Sequence, residues 1–175
     1  MIRRAIIRRF GADQRGVAAV EMSLIAGFFT VALFNAMELG RYAYIVAEAH
    51  EATQVGAQAA FVACDAQHVP ATVNCPDLNT AVTTAIRSTS LGSRVALNGA
   101  IDEGYYCLNA SNALVYASDV NSKPANCSAF GNAGLTPVLY LRVHTTYSYA
   151  PMLRGMTIAS SFPATIRKTS WMRML

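Results

Sequence analysis

The chain has 175 residues, of which 53% are hydrophobic and 14% are charged, a composition more apolar than that of an ordinary cytosolic domain. Its formal charge is +4, but five arginines and one aspartate within residues 1–16 account for all of it. Binding of nucleic acid requires a basic patch on the folded domain, and residues 17–175 are formally neutral, so nucleic acid is not expected as a partner.

Residues 17–37 form an apolar segment in which Glu21 is the only ionisable side chain. A helical rise of about 1.5 Å per residue gives this segment a length of roughly 30 Å, the thickness of a bilayer core. Five arginines precede it and Glu38 follows it, which predicts a cytosolic N-terminus and an exported C-terminus. We therefore predict a transmembrane segment over residues 17–38 and an exported domain over residues 39–175.

Two other kinds of targeting segment also begin with basic residues and an apolar run. A cleaved secretory signal fits poorly, because the run is long, Glu21 lies inside it, and a cut after Ala36 would place bulky Phe34 where a small residue is needed. An uncut signal anchor remains as the alternative. The chain would then be an anchored periplasmic binding or adhesion domain.

Glu21 is an unusual residue for a membrane segment. A carboxylate at the centre of a membrane helix costs about 2.5–3.5 kcal/mol on insertion scales, so its presence needs a physical reason. A cut after Gly16 would make Val17 the first residue and create a free amino group, which could pair with Glu21 of a neighbouring subunit in a helical stack. Such a buried pair selects one axial offset between subunits and adds little to stability.

Residues 15–22, RGVAAVEM, resemble the processing site of type IV prepilins, and in particular that of TadE-like minor pseudopilins of the tight-adherence (Flp-type) pilus system. The likeness comprises a short arginine-rich leader, a glycine, a glutamate five residues later and an uninterrupted apolar helix. It implies removal of residues 1–16 by a membrane aspartyl prepilin peptidase, cutting between Gly16 and Val17, and often methylation of the new amine.

The same resemblance implies a structural role in pilus assembly, with surface attachment and biofilm formation as the outcome. The implied partners are the prepilin peptidase, other pilin and pseudopilin subunits, the inner-membrane assembly platform and membrane lipid. Major Flp pilins carry Glu-Tyr where this chain has Glu21-Met22. This departure favours a minor pseudopilin over the main fibre subunit.

Helical periodicity continues beyond the membrane to about Val62. Small and apolar residues recur on one face of this helix, and polar or acidic residues lie on the other, namely Glu48, Glu51, Gln54 and Gln58. The apolar stripe comprises Tyr42, Ile45, Val46, Ala49, Ala52, Thr53, Gly56 and Ala60. Residues 63–76 are predicted to form a loop, followed by a short helix that starts near Pro76 and ends before Gly92.

Beyond Gly92 the pattern predicts five strands, over residues 94–98, 105–109, 114–117, 138–149 and 158–166. The fourth alternates from Leu139 to Tyr149, and we expect it to pair with the fifth, which Pro163 limits to an edge or bulged strand. Residues 118–136 are predicted to form a surface loop, the recognition surface in the binding-domain alternative. The strand ending in Tyr-x-Tyr-x-Pro, with a final strand after it, also resembles the C-terminal end of TadE-like proteins. The expected fold is α+β and pilin-like, a long helix packed on a small antiparallel sheet.

All four cysteines, Cys64, Cys75, Cys107 and Cys127, follow the apolar segment and lie on the side predicted to be exported. Two disulfides are therefore expected, with free or partly buried thiols as the alternative. Four cysteines allow three pairings. Closure of short loops favours Cys64 with Cys75 and Cys107 with Cys127.

The sequence contains no pattern typical of catalysis or of cofactor binding. His50, His68 and His144 are scattered, without metal-ligand spacing, and neither a phosphate-binding glycine-rich motif nor a Gly-x-Ser-x-Gly motif occurs. The acidic pair Asp102 and Glu103 is expected to lie in a solvated turn. We therefore expect no metal, no cofactor and no enzymatic activity.

Overall fold

A computed structural model of the chain describes residues 15–64, 67–153, 155 and 157–174. The chain divides into two compact units. The first unit contains the chain up to Tyr42 together with Pro151–Phe162, and the second contains Ala43–Ala150 together with Pro163–Leu175. The predicted leader, residues 1–16, lies outside the described residues except for its last two positions.

The first helix, α1, runs without interruption over Arg15–Ala63, which is 49 residues. The sequence predicts this helix to about Val62, and the structure confirms it. The predicted apolar stripe is also confirmed, because Ile45, Ala49, Ala52 and Thr53 are buried in the second unit. Small side chains on this face let neighbouring elements approach the helix closely.

Two further helices follow α1 in the second unit. The four-residue helix α2, Ala71–Asn74, lies in the stretch predicted to be a loop, so that prediction is wrong in this part. The carboxylate of Glu103 accepts hydrogen bonds from the backbone N–H groups of Ala71 at 3.0 Å and Thr72 at 2.8 Å. This acceptor is about thirty residues away along the chain, and local sequence patterns do not reveal such a partner.

The third helix, α3, spans Leu78–Arg87 and confirms the predicted short helix. Its buried residues, Leu78, Val82 and Ile86, recur every four positions and so share one face. The helix ends before Gly92, whose φ of +56° is a left-handed conformation that favours glycine.

The sheet has five antiparallel strands: β1, Val95–Leu97; β2, Asp102–Leu108; β3, Leu114–Asp119; β4, Val138–Ser148; and β5, Thr165–Arg173. The longest strand, β4, is central. One of its edges pairs with β2 and, further along, with β1, and its other edge pairs with β5, while β3 pairs with β2. The first four predicted strands are confirmed to within a few residues.

The predicted position of the fifth strand is wrong, although its partner is right. Ile158–Ser161 forms a 3₁₀ turn, and β5 begins only after Pro163, with Thr165 opposite Ser148. Proline has no N–H to contribute to a ladder, so pairing starts beyond it. The strand that does form contains mostly polar and basic residues, with only three large apolar ones, and this weakens the apolar period by which strands are recognised.

Asp102 and Glu103 do not lie in a turn, contrary to expectation. They are the first residues of β2, opposite Arg142 and Leu141 of β4. Gly104 follows them within the strand. The ring of Tyr116 passes over this glycine, and a Cβ there would lie 2.8 Å from that ring. The glycine therefore marks a close approach of a ring to a strand.

The core of the second unit lies on the inner face of the sheet. The alternation predicted for β4 is confirmed, since Leu139, Leu141, Val143, Thr145 and Tyr147 are all buried while the intervening residues are half-buried. Each large apolar side chain of this kind stabilises the fold by about 1.5–3 kcal/mol when fully buried. α1 and α3 supply the helical side of this core.

Candidate functional site

The residues predicted to act in processing and assembly lie together in the first turns of α1. Arg15 is the first residue of the helix, so Gly16 and Val17 are helical and fully part of the described chain. Val17 and Glu21 are four positions apart and therefore lie on one face, one helical turn from each other. Both are exposed.

The segment around them presents a continuous apolar surface. Large apolar side chains from Val17 to Leu39 are exposed, and Phe28 reaches 71%. An exposed apolar surface of this extent marks contact with a membrane or with another protein. By length and composition, this is the one helix among the described residues that could cross a membrane.

Several polar side chains in this segment donate hydrogen bonds to carbonyls of the same helix. The hydroxyl of Ser23 donates to the carbonyl of Val20, that of Thr30 donates to Ala26, each at 2.7 Å, and the Asn35 amide donates to Val31 at 2.8 Å. Such bonds to preceding carbonyls would lower the cost of placing these groups in lipid.

Glu21 differs from these neighbours. Within the described part of the chain, its carboxylate has neither a hydrogen-bond partner nor an ion-pair partner. Its surroundings on the helix are Gly16, Val17, Val20 and Leu24. In lipid, an ionisable group without a partner in the described part of its chain would need one from elsewhere.

The structure contains two disulfides, Cys64–Cys75 and Cys107–Cys127. This is the pairing that closure of short loops favours, and the prediction of two disulfides is confirmed. The first bridge ties the residue just after α1 to the segment after α2, and the second ties β2 to the loop after β3. Cys107 and Cys127 are both fully buried.

The outer face of the sheet carries a cluster that the sequence analysis missed. We call it the aromatic–arginine cluster, and it consists of Tyr106, Tyr116, Tyr140, Arg142 and Trp171. The Tyr106 ring lies edge-on to the rings of Trp171, Tyr116 and Tyr140, with centroids 5.1, 5.5 and 5.9 Å away. These residues come together only because four strands pair. The aromatic residues of β2 and β4 were a partial signal of the cluster in the sequence.

Arg142 links this cluster to the charged and polar groups beside it. The Arg142 guanidinium carbon lies 5.1 Å from the centroid of the Trp171 ring, a cation–π distance, and an Arg142 nitrogen lies 3.0 Å from the Asp102 carboxylate. His144 also contacts Asp102, at 3.1 Å. Burial raises the pKa of Tyr106 above 10.0, with the nearby Arg142 acting in the opposite direction.

The three histidines lie apart in sequence and play local roles where the structure shows them. His144 is half-buried on the outer face of the sheet and hydrogen bonds Thr169 at 2.8 Å, whereas His50 contacts Gln54 along α1 at 3.1 Å. Over the ranges that the structure describes, no three metal-binding side chains come together.

No family model, curated protein or solved structure matches the chain.

Proposed function

We propose that the chain is a minor pseudopilin, similar to the TadE-like proteins of tight-adherence pili, and that it acts as a structural subunit in pilus assembly. The observation that carries this proposal is the carboxylate of Glu21, which lies on an exposed apolar helix without a partner in the described chain, one turn beyond Val17. Cleavage after Gly16 would generate a cation suited to it.

The proposed mechanism is assembly and involves no catalysis by this chain. A prepilin peptidase removes residues 1–16, and the new amine of Val17 pairs with Glu21 of a neighbouring subunit. The charge pair forms away from water, so it strongly favours the one axial offset at which the two groups meet. The exposed apolar surface of α1 then packs against other pilin helices as the subunit leaves the membrane through the assembly platform.

Five arginines before the apolar segment support an N-terminus in the cytosol and a domain in the periplasm. The two disulfides agree with that side of the membrane, because disulfides persist in the oxidising periplasm. Met22, where major Flp pilins have tyrosine, supports the assignment to a minor subunit.

The first experiment determines the N-terminal residue. Mass spectrometry of protein extracted from cells with the prepilin peptidase should give an N-terminus at Val17, and cells lacking the peptidase should retain residues 1–16. An intact leader in both strains would contradict processing and favour the signal anchor.

The second experiment separates processing from assembly. We expect Glu21→Ala to be cut normally but to be lost from sheared pili, because its neighbour's amine then has no buried partner. Ser23→Ala is the matched control, since it removes an exposed polar group of the same helix whose partner in the described chain is the Val20 carbonyl. Normal incorporation of the Glu21 variant would refute the pairing.

A second candidate function is an anchored binding or adhesion domain, and the aromatic–arginine cluster is the observation that favours it. Trp171 is 44% exposed and Tyr116 is 52% exposed, and tryptophan, tyrosine and arginine dominate the energetics of protein interfaces. The sheet face therefore fits a recognition surface better than residues 118–136, the loop expected from sequence. Trp171→Ala should then abolish surface attachment while leaving the N-terminus and the extracted amount of protein unchanged.

A further inference from the structure

The connection between β4 and β5, Pro151–Phe162, belongs to the same compact unit as the apolar part of α1. We call this segment the β4–β5 connection; its described residues are 151–153, 155 and 157–162. Two side chains of α1 bind its backbone. Both oxygens of the Glu38 carboxylate accept from the N–H of Met152 at 3.2 Å, and the Asn35 side-chain oxygen accepts from the N–H of Ile158 at 2.8 Å.

Apolar contacts hold the same segment against the helix. The ring of Phe162 lies against that of Tyr42, with 4.5 Å between centroids. Nearby, Met152 and Leu153 face Phe34 and Met37 of the helix across a cavity of about 140 Å³.

The depth of these contacts along the helix is informative. At about 1.5 Å per residue, Asn35 and Glu38 lie roughly 27 and 32 Å from Val17, on either side of the far boundary of a bilayer core about 30 Å thick. Backbone N–H groups on the hydrocarbon side of this boundary lack water and need partners within the protein. Asn35 and Glu38 provide such partners.

Glu38 itself is shielded from solvent by the protein around it. It is 2% exposed on a stretch of helix whose apolar side chains are largely exposed, and its charge is compensated by Arg41 at 3.2 Å. A carboxylate that bonds a loop backbone and an arginine while buried fixes the loop in place.

The free side of the β4–β5 connection includes two large apolar side chains. Met152 is 62% exposed and Ile158 is 54% exposed. In the sequence of the connection the single charged residue is Arg154, which lies outside the described residues. A segment whose sequence combines large apolar residues with one basic residue and small hydroxyls suits the boundary between acyl chains and phospholipid headgroups.

We infer that the β4–β5 connection is a second membrane contact, lying in the lipid headgroup zone at the far end of the transmembrane part of α1, with Met152 and Ile158 at the acyl boundary. The occupant is lipid because the connection is continuous with the apolar surface of α1 at the depth where that surface leaves the hydrocarbon. The inference rests on α1 crossing a membrane and is independent of cleavage after Gly16 and of the pilus.

Depth-dependent fluorescence quenching tests this inference. Trp171 is the only tryptophan of the chain, so a full-length Trp171→Phe background accepts one new tryptophan at Met152 or Ile158. The proteins are reconstituted in vesicles of phosphatidylcholine and phosphatidylglycerol brominated either high or low on the acyl chain. Both tryptophans should show blue-shifted emission and at least twofold stronger quenching by the high bromines than by the low ones.

Two control positions make the result decisive. Phe28→Trp reports insertion of α1 and should be quenched more by the low bromines. Val62→Trp, at a residue 82% exposed near the end of α1, should emit as in water without quenching. If the position 28 probe is quenched while those at 152 and 158 behave like that at 62, the inference is wrong.

A measurement on the unsubstituted chain guards against damage by the new tryptophans. Hydroxyl-radical labelling of the protein in vesicles should oxidise Tyr116 readily. Met152 should be oxidised several-fold more slowly than is expected for a methionine that is 62% exposed to water. Adding Glu38→Leu removes the acceptor for Met152 and should raise Met152 oxidation several-fold. Rapid oxidation of Met152 in the parent protein would also overturn the inference.

Discussion

The hydroxyls of Thr53 on α1 and Thr145 on β4 lie 2.6 Å apart, and both side chains are fully buried. Thr53 also donates to the carbonyl of Ala49, at 2.6 Å. Its single proton is therefore used, and Thr145 must be the donor to Thr53. This chain of two hydrogen bonds joins the helix to the centre of the sheet.

The direction of these bonds predicts unequal effects of two similar substitutions. Thr53→Val leaves the buried Thr145 hydroxyl without its acceptor and should lower the free energy of unfolding by about 1–3 kcal/mol. Thr145→Val leaves Thr53 bonded to Ala49 and should cost less. The double variant should be no less stable than Thr53→Val alone. Urea unfolding followed by circular dichroism measures all three, and a larger loss for Thr145→Val would reverse the assigned direction.

Gly56 is predicted to tolerate no side chain. A Cβ at this position would lie 2.8 Å from Cγ1 of Ile86 and 3.0 Å from its Cδ1. We expect Gly56→Ala to lower the free energy of unfolding by about 1–2 kcal/mol, since overpacking outweighs the better helix propensity of alanine. The loss should shrink in an Ile86→Val background, where Cδ1 is absent.

Gly40→Ala is the matched control for Gly56→Ala. It lies in the same helix, with no atom within 4 Å of the added Cβ in the described chain. This change should be neutral or stabilise by up to about 1 kcal/mol. Equal effects at the two glycines in thermal unfolding would contradict the close packing of α1 against α3.

The two disulfides predict which cysteines are joined in the extracted protein and predict that the domain lies in an oxidising compartment. Non-reducing peptide mapping should recover one peptide pair joined through Cys64 and Cys75 and another through Cys107 and Cys127. Replacing both cysteines of one bridge by alanine should cost about 2–4 kcal/mol, and the 107–127 bridge, which closes the longer loop, should cost more by about 0.5 kcal/mol. Thiols that react with an alkylating agent in intact cells would contradict an exported, oxidised domain.

Alkaline pH should destabilise the second unit through Tyr106. Burial raises the pKa of Tyr106 in the folded protein above 10.0, so the folded state keeps its proton at pH values where the unfolded state has lost it. The stabilisation is complete below the pKa of the unfolded state, near 10, and is lost as pH rises through the folded pKa. Unfolding at a series of pH values should show a shallower decline above pH 10 for Tyr106→Phe than for the parent, with parallel behaviour below about pH 9. Identical slopes above pH 10 would refute the effect.

The sequence predicted α1, α3 and β1–β4 because each carries its own period. The stripe from Ile45 to Ala60 repeats at helical spacing, and β4 alternates along its whole length. The sequence misplaced β5, because its mostly basic and polar residues carry no clear apolar period. The position of this strand is set by its pairing with β4. The sequence also missed α2, because the capping carboxylate of Glu103 arrives from another strand.

Local information determined the apolar N-terminal helix, the cluster of five arginines before it and the place of Glu21, since charge and hydropathy act residue by residue. Short loop closure also favoured the correct disulfide pairing. Only the tertiary structure decided that Arg142 meets Trp171, that Thr145 donates to Thr53 and that Glu38 binds the backbone of Met152. Each of these contacts joins residues remote in sequence, and their meeting depends on strand register and on close packing between elements, which no local pattern encodes.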